Sequence, residues 1–332
     1  STAHYPEKLE LIIMGGTFPS FPIDYQNEFI SDSFQAVNDF SEMFFENNKF
    51  NFEKFNKFFS KDRKDFSKSF KERLMEKKNS PNVEREHLRN ETARTRIVTM
   101  CIETKPDWCK EKEINEMLRL GTTRVELGAQ SLYNEVLQYT NRGHNIDDTI
   151  EATQLLKDSG LKITYHMMPG QPKSNREKDI QMFKELFENQ DFKPDGLKIY
   201  PCMVMPGTAL AALYKKGKFK PLTTEEAADI ISEIAQYFPE YTRIHRVQRD
   251  IPTKLSLGGI DKNNLRQIAE EKMVGKHIKI RDMRARESGI NSGKGIEVDY
   301  SNIELKTLEY EASKGKEVFI TFDDKTNDLM IG

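Results

Sequence analysis

Cysteine, tryptophan and long apolar runs are all scarce in this sequence. Its 332 residues include three cysteines and one tryptophan, and no run of uninterrupted apolar residues approaches the length of a membrane-spanning helix. Three cysteines are too few for a disulfide framework and fit a reducing compartment. The absence of a long apolar run excludes an ordinary transmembrane helix. The first residues, STAHYPEKLE, also lack the basic-then-apolar pattern of a secretory signal peptide, so we expect a cytoplasmic protein without a membrane partner.

Excess charge of either sign is lacking as well. The chain has 51 Lys and Arg against 53 Asp and Glu, which gives a formal net charge of -2. The overall charge therefore indicates no nucleic-acid or membrane partner, and only local clusters could do so. The length corresponds to one large domain or two ordinary ones. No Gly-x-Gly-x-x-Gly opens a helix, so a dinucleotide-binding Rossmann fold lacks its main sequence support.

Strands and helices alternate through the first two thirds of the sequence. Apolar strand patterns are predicted at residues 9–14, 96–103, 123–127, 161–167, 196–200 and 242–247. Helical patterns are predicted at residues 111–120, 147–158, 176–188 and 223–238, the last capped by Thr223 or Thr224. Strands alternating with helices of this length indicate parallel βαβ units. The fold class that we predict is α/β, with a full or partial TIM-type barrel.

The remaining segments have different patterns. Residues 29–59 are rich in Phe and predict a helix, and residues 60–80 are highly charged. After residue 250 we predict a helix at 261–276, a basic strand at 277–287, and strands at 304–310, 318–322 and 329–331. The last three indicate the start of an antiparallel domain. The predicted domains are residues 1–250, a basic junction at 251–290, and 291–332.

The carboxyl ends of the predicted strands carry the candidate site residues. Because barrel enzymes place their active sites at these ends, the polar residues found there are candidates for function. They are Gly15, Gly16, Thr17, Glu103, Gln130, His166, Lys198 and Tyr200. The alternative is that Gly and Pro merely end strands, as they do in any fold. The added Glu, Gln, His and Lys favour an active site.

Residues 240–290 form a basic zone in an otherwise acidic chain, with twelve Lys and Arg against seven Asp and Glu. Its candidates for phosphate contact are Arg243, Arg246, Arg249, Lys279, Arg281, Arg284 and Arg286. The planar donor fork of Arg suits phosphate, but it suits internal ion pairs equally well, and the residues alone leave both interpretations open. In the second basic segment, residues 49–78, acidic residues are interspersed, which favours a solvated helix face.

Eight motifs occur together in an order that resembles one family. They are MGGTFPSFPIDYQNEFI, IETKPDWC, RVELGAQS, TNRGH, HMMPGQP, DGLKIYP, RIHRVQRDIP and RDMRARE. Together they resemble the catalytic subunit of Elongator, the tRNA wobble-uridine acetyltransferase or carboxymethyluridine synthase family. The resemblance extends from residue 6 to residue 332. Each motif alone is weak, whereas eight in the right order are highly specific.

The resemblance implies a partial (β/α)6 radical S-adenosylmethionine (SAM) barrel, followed by the first strands of a GNAT-like acetyltransferase α+β domain. It implies a [4Fe–4S] cluster and SAM as cofactors and acetyl-CoA as co-substrate, with carboxymethyl addition to a wobble uridine as the reaction. The tRNA anticodon loop, other Elongator-type subunits or a second copy of the chain are the implied partners. Cys101, Cys109 and Cys202 do not match the family's closely spaced cluster motif. We therefore expect no metal ligands in this chain, and a fragment truncated at both ends that cannot complete catalysis.

Site residues carry over from the family position by position. Gly15, Gly16 and Thr17 match its SAM-binding strand end, and Glu103 and Gln130 fall at strand ends that face SAM in the superfamily. Lys8 matches a lysine that the family uses for acetyl-CoA. The six arginines among the basic candidates at 243–286 match basic stretches of the family, which favours tRNA contact for this zone. His166, Lys198 and Tyr200 are the candidate catalytic residues at the barrel mouth.

Two other interpretations remain open. The chain could be another radical SAM enzyme of the porphyrinogen-oxidase or methylthiotransferase kind, and LGAQS with Arg142-Gly143-His144 suits the former. The acetyltransferase-like pattern after residue 296 argues against both of these kinds of radical SAM enzyme. The chain could also be a non-catalytic tRNA-binding module.

Overall fold

The computed structural model describes residues 7–59, 70–249 and 251–332. Its strands are β1 (Lys8–Ile13), β2 (Phe45–Glu46), β3 (Lys49–Phe50), β4 (Arg96–Thr104), β5 (Arg124–Gln130), β6 (Lys162–Met167), β7 (Gly196–Ile199), β8 (Arg243–Val247), β9 (Ile303–Ala312), β10 (Gly315–Asp324) and β11 (Leu329–Met330). Its helices are α1 (Ile23–Phe44), α2 (Phe52–Phe59), α3 (Phe70–Met75), α4 (Val83–Thr92), α5 (Glu111–Arg119), α6 (Asn134–Tyr139), α7 (Ile146–Asp158), α8 (Arg176–Glu188), α9 (Ala209–Lys215), α10 (Thr224–Ile234), α11 (Leu265–Gly275), α12 (Met283–Arg286) and α13 (Ser288–Ser292). None of the helices in these described ranges combines the length and apolar character needed to cross a bilayer.

The main sheet has six strands in the order β1-β4-β5-β6-β7-β8, which is also their order along the chain. The pairs β1–β4, β6–β7 and β7–β8 are parallel. A doubly wound sheet reverses its strand order at a switch point, whereas a (β/α) barrel adds strands in sequence. The predicted partial (β/α)6 barrel is therefore confirmed.

The chain divides into two compact units. Unit 1 contains Ser1–Thr104 and Glu111–Val125, and unit 2 contains Lys105–Lys110 and Glu126–Gly332. These bounds differ from the domains predicted at residues 1–250, 251–290 and 291–332, which stay predictions. Each unit is described by itself below.

In unit 1, helices α1 and α4 are joined by buried polar contacts. Asn38 donates to the Glu86 carbonyl at 2.9 Å, and Arg89 pairs with Asp39 at 2.7 Å. The single helix predicted over residues 29–59 is interrupted, because Asn47 and Asn48 adopt positive φ angles of 50° and 62° and turn the chain between β2 and β3. Asn tolerates this left-handed conformation and so breaks the helical pattern. Residues 60–69 of the predicted charged segment lie outside the described residues.

In unit 2, the sheet has one apolar and one polar face. Leu127, Ile163, Met167 and Leu197 are all 0% exposed, and each such side chain stabilises the fold by about 1.5–3 kcal/mol. Because side chains alternate along a strand, the intervening residues Glu126, Thr164, His166 and Lys198 share the other face, which we call the polar face. Parallel strands are usually apolar on both faces. A polar face in such a sheet therefore indicates a functional interior rather than a packed core.

Helix α10 shows how local sequence sets the ends of these elements. Thr223 accepts a hydrogen bond from the Glu226 amide at 3.2 Å, and the Glu226 side chain accepts from the Thr223 amide at 2.8 Å. This capping box satisfies amides that have no partner within the helix. The predicted cap at Thr223 is confirmed, with Thr224 as the first helical residue.

The C-terminal strands form the predicted antiparallel sheet, in the order β11-β10-β9. Ala312 pairs with Gly315 at the β9–β10 turn, and Asp324 pairs with Ile303 at the far end. Tyr310 of β9 stacks on Tyr241 at a ring distance of 3.9 Å. The prediction of three strands after residue 300 is confirmed.

The strand predicted over residues 277–287 is wrong, because this segment ends in the short helix α12. Asp282 is buried, and its carboxylate accepts hydrogen bonds from the amides of Ile244 at 3.0 Å and Arg284 at 3.2 Å. The first bond gives the Ile244 amide, at the edge of β8, a side-chain acceptor in place of the carbonyl of a further strand. The second caps α12, as Asp does at many helix starts.

Candidate active site

A buried carboxylate with two basic partners lies on the polar face of unit 2. The Glu126 carboxylate accepts a hydrogen bond from Lys198 Nζ, and its Oε2 atom lies 2.8 Å from His166 Nε2. Glu126 is 1% exposed and Lys198 is 5% exposed. Few buried charges persist in proteins without a partner of opposite sign. The three side chains therefore form one hydrogen-bonded group, which we call the Glu126 cluster.

Strand register brings the Glu126 cluster together. His166 of β6 and Lys198 of β7 are paired residues of adjacent parallel strands. Glu126 lies on β5, on the other side of β6 in the sheet order. Side chains at equivalent heights on one face of a sheet meet because adjacent strands are only about 4.8 Å apart.

Burial and the two basic partners act on Glu126 in opposite directions. Burial favours the neutral acid and acts to raise the pKa of Glu126, but the hydrogen bonds from His166 and Lys198 and the charge of Lys198 outweigh it. The pKa of Glu126 therefore lies well below its ordinary value. Glu126 is a fixed anion at neutral pH, and it orients both basic groups without exchanging protons itself.

Tyr200 lies at the carboxyl end of β7, beside the Glu126 cluster. Its ring contacts the His166 ring edge-to-face at 5.3 Å, and the Arg249 guanidinium lies 5.5 Å from the centre of the same ring. Its amide donates to the Met167 carbonyl at 2.8 Å, which fixes the backbone beyond the strand. The predicted residues His166, Lys198 and Tyr200 are thus brought together, and Arg249 joins them.

The backbone of Gln130 forms hydrogen bonds with the loop that follows β6. It has a positive φ of 68°, which is strained for a residue with a side chain. Its carbonyl accepts from the Met168 amide at 2.9 Å and from Gln171 Nε2 at 3.2 Å. Gln130 therefore holds the backbone between two strand ends, and its predicted contact with SAM stays a prediction.

In unit 1, two glycines follow β1 with exposed backbone. Gly15 and Gly16 have φ angles of +94° and +66°, which favour glycine. A Cβ atom at Gly15 would meet nothing within 4 Å, and the Gly15 amide lies 3.4 Å from the Glu103 carboxylate. The Gly15 amide donates a hydrogen bond to that carboxylate, and the predicted contact of Gly15, Gly16 and Glu103 with SAM stays a prediction. Thr17 follows as the residue before the 3-10 turn Phe18–Ser20.

Lys8 lies at the opposite end of β1 from these glycines. It is exposed and pairs with Arg96 at the start of the strand. The rise of a strand puts about 20 Å between Lys8 and Gly15. The sequence prediction of acetyl-CoA contact at Lys8 thus concerns a separate place in unit 1.

Several of the predicted tRNA-contacting residues are held in internal ion pairs. Arg286 is 3% exposed, and its guanidinium bonds to Asp323 and lies 3.3 Å from both Glu240 and Asp328. Arg281 also pairs with Glu240 at 2.6 Å and Asp328 at 2.7 Å. These contacts tie residues 240–286 to the C-terminal sheet.

The other basic candidates are distributed differently. Arg243 pairs with Glu287 at 2.7 Å, and Lys279 pairs with Asp328 at 2.8 Å. Arg246 of β8 is the register partner of Lys198 and therefore continues the sheet beyond the Glu126 cluster. Arg284 follows Asp282 in α12. Contact of these residues with tRNA stays a prediction.

The three cysteines do not fit an iron–sulfur cluster. Cys101, Cys109 and Cys202 are at most 4% exposed, and no group of potential ligand side chains that meets among the described residues includes a cysteine. Burial raises the pKa of the Cys202 thiol to about 12, so it is protonated at neutral pH. A cluster needs several thiolates that converge on its iron atoms.

The sequence analysis missed Glu126. The strand sequence RVELGAQ alternates apolar and polar residues, which alone assigns Glu126 to a solvent-facing side; the signal was that a strand flanked by βαβ units is covered on both faces. An acidic residue inside a buried parallel strand needs a partner, and the neighbouring strands supply His166 and Lys198.

Most of the chain matches two radical SAM family models. Residues 61–186 match the Radical SAM superfamily, and residues 194–274 match the Radical SAM C-terminal domain. A solved structure of an N-terminally truncated Elp3 from Methanocaldococcus infernus is 45% identical with a TM-score of 0.83, over 98% of this chain and 68% of that chain. The fold and these matches define a protein of the radical SAM class.

The curated relatives identify the family within the radical SAM class. The "tRNA uridine(34) acetyltransferase" proteins of Methanocaldococcus infernus and Methanocaldococcus jannaschii are each 45% identical over 99% of this chain and 54% of their own length. "Elongator complex protein 3" of Saccharomyces cerevisiae is 36% identical over 99% of this chain and 52% of its own. The chain belongs to the Elongator complex protein 3 family, as its motifs predict. It spans about half the length of these curated relatives.

Proposed function

We propose that this chain is the radical SAM part of an enzyme that modifies the wobble uridine of tRNA. Family membership supports this proposal, since the archaeal relatives are named tRNA uridine(34) acetyltransferases. The observation that carries it is the Glu126 cluster, because a buried Glu, Lys and His on the polar face of a parallel sheet has no use in a packed core. The finer proposal is carboxymethyl addition with acetyl-CoA as the acetyl donor.

The residues of unit 1 supply the binding of SAM in this proposal. The Gly15 amide and the Glu103 carboxylate would meet the carboxylate and ammonium of its amino-acid end. Bound SAM supplies the hydrogen-abstracting chemistry of the superfamily. The cysteines of this chain do not fit the cluster that this chemistry also requires, so no step is assigned to them.

The residues of unit 2 supply orientation and charge. Glu126 holds Lys198 and His166 side by side, and the remaining N–H groups of the Lys198 ammonium can donate hydrogen bonds to a uracil carbonyl or a thioester oxygen. Tyr200 is buried beneath Arg249 at the end of β7, and the exposed Arg249 guanidinium is the flat group on which a base splayed out of the anticodon loop could stack. A rigid set of donors costs no reorganisation when the substrate binds.

Binding measurements with the 332-residue chain test this proposal directly. A tRNA transcript with uridine at the wobble position should bind more tightly than its cytidine counterpart, and SAM should bind with a dissociation constant that rises in Glu103→Gln. The Glu103→Gln variant should leave tRNA binding unchanged. Equal affinity for both transcripts, together with no SAM binding, would overturn the proposal.

The three cysteines do not fit an iron–sulfur cluster, and this observation favours a second function, that of a non-catalytic tRNA-binding module. Such a module would bind the transcripts but would have no use for the Gly15–Glu103 arrangement. SAM binding that depends on Glu103 therefore separates the two functions.

A further inference from the structure

A cavity of about 420 Å³ in unit 2 opens beside the loop that follows β6. Its lining includes three lysines, one arginine and two aromatic residues, namely Tyr139, Lys173, Arg176, Lys218, Phe219 and Lys220. The lysines at 218 and 220 belong to the basic sequence YKKGKFK (residues 214–220), which begins at the end of α9. This basic segment is separate from the zone at residues 240–290.

The two loops that carry these side chains are fixed against each other. Asp179 is buried and accepts hydrogen bonds from the Gly170 amide at 2.7 Å and from Ser174 Oγ at 2.6 Å, which closes the first loop. Gly170 has a φ of +78°, and a Cβ there would lie 2.6 Å from Leu222 of the second loop. The loops therefore pack closely, and the lysines stand on a rigid frame.

The cations around this cavity are only partly ion-paired, and one buried carboxylate, that of Asp179, also lines it. Within the described ranges, Lys173 and Lys218 make no ion pair, and Lys220 lies 3.8 Å from Glu226 with its side chain 82% exposed. Arg176 is the exception, since it bonds to Glu233 and lies 3.2 Å from Asp229. Unpaired lysines around a concave surface attract an anion with several charges.

Two aromatic side chains favour RNA over other polyanions. Tyr139 is 47% exposed, and Lys173 Nζ lies 5.1 Å from the centre of its ring. Phe219 is half-buried in the same lining. Base stacking on an aromatic ring contributes about 1–3 kcal/mol per base, and lysines beside it take the phosphates. An acidic protein segment would need the lysines but would not need the exposed rings.

We propose that this cavity binds a stretch of the tRNA substrate, with its phosphates on Lys173, Lys218 and Lys220 and a base on Tyr139. The inference rests on the proposed function, because it takes tRNA as the ligand. The loop concerned begins directly after Met167, one residue beyond His166 of the Glu126 cluster. A strand held in the cavity would therefore approach the end of β6 that carries the candidate active site.

The experiment compares a double variant with a control of equal charge change in the full 332-residue chain. Lys173→Glu with Lys218→Glu alters the cavity, whereas Lys184→Glu with Lys294→Glu alters lysines elsewhere in unit 2. Binding of a tRNA transcript with a wobble uridine is measured by fluorescence anisotropy at several salt concentrations, beside melting curves. We expect the double variant to bind at least about tenfold more weakly, with a salt slope lower by about 1.4 units, since each single-strand phosphate contact contributes about 0.7.

A third variant, Tyr139→Leu, tests the stacking contact. It should weaken tRNA binding by about fivefold with an unchanged salt slope, because stacking releases no counterions. If the original chain binds tRNA and the folded double variant matches the control, the cavity inference is wrong and the proposed function stands. If the double variant loses affinity for heparin but not for tRNA, the cavity recognises another polyanion and the inference is equally wrong. If the original chain binds no tRNA, the proposed function fails and the inference fails with it.

Discussion

The carboxylate of Glu126 on β5 accepts a hydrogen bond from the ammonium of Lys198 on β7, past the intervening strand β6. His166 of β6 bonds to the same carboxylate oxygen. Two basic groups thus share one buried anion, and removal of the anion leaves both without their partner. The stability of unit 2 and the geometry of the candidate site depend on the same contact.

Glu126→Gln should lower the free energy of unfolding by about 3 kcal/mol, because it leaves the charge of Lys198 buried without a carboxylate. The double variant Glu126→Gln with Lys198→Met should recover at least half of that loss, since the buried charge is then gone. Urea unfolding at neutral pH measures both. A loss in the double variant equal to the sum of the losses in Glu126→Gln and Lys198→Met would show that the two residues are not coupled.

Arg286→Met should destabilise the chain more than Arg281→Met. Arg286 is 3% exposed, and its loss leaves the buried Asp323 carboxylate with Lys306 at 3.9 Å as its remaining cation, at a cost of about 3 kcal/mol. The Arg281 side chain is 37% exposed, so its pairs are screened by solvent and should contribute about 1 kcal/mol or less. Thermal and urea unfolding of the two variants give the comparison, and the reverse order would contradict it.

Because of Asp179, the free energy of unfolding should fall as the pH rises toward 6. Burial raises its pKa from 3.8 to about 6, against weaker opposing hydrogen bonds from Ser174 and Gly170. A carboxyl group with a raised pKa in the folded state favours folding while it is protonated, and that contribution is lost as the pH rises from about 4 through 6. The stability of Asp179→Asn minus that of the original chain should therefore grow by about 1–3 kcal/mol between pH 4 and pH 7. A difference that stays constant with pH would contradict the shift.

Arg246→Glu with Arg249→Glu should weaken tRNA binding at least about tenfold, or about 1.4 kcal/mol. Arg246 adjoins Lys198 in register and Arg249 lies over Tyr200, so both lie near the candidate active site. The alternative is internal pairing of Arg246 and Arg249 with carboxylates, of which Asp250 lies outside the described residues. In that case the variant would melt earlier while its folded fraction kept the original salt slope. Arg63→Glu with Lys64→Glu, also outside the described residues, serves as a comparison with a smaller expected effect.

Anaerobic reconstitution of the 332-residue chain with iron and sulfide should give no stoichiometric [4Fe–4S] cluster. The thiols of Cys101, Cys109 and Cys202 are buried. Burial raises the pKa of the Cys202 thiol to about 12, so the thiolate that would bind iron does not form at neutral pH. Iron analysis and visible absorption are the measurements. Four irons per chain, lost on substitution of any of these cysteines, would contradict the expectation.

Local patterns were enough to predict the barrel but not the contacts between distant residues. The strand at residues 161–167 and the helix at 176–188 are bounded by Gly and Pro or by capping residues, which act within a few positions. The pairing of Arg281 with Glu240 and Asp328 spans 41 and 47 residues, which no local pattern encodes. The same applies to Glu126 and Lys198, which are 72 residues apart. The wrong strand at 277–287 has this origin too, because the segment meets β8 through the Asp282 side chain, which accepts from the Ile244 amide, and not through backbone pairing.

The chain passes between units 1 and 2 three times, after Thr104, Lys110 and Val125. The six residues Lys105–Lys110 belong to unit 2, although the residues on both sides of them belong to unit 1. No single proteolytic cut can therefore release either unit intact. Any experiment that dissects this protein has to keep the short return of the chain at Lys105–Lys110 together with the rest of unit 2.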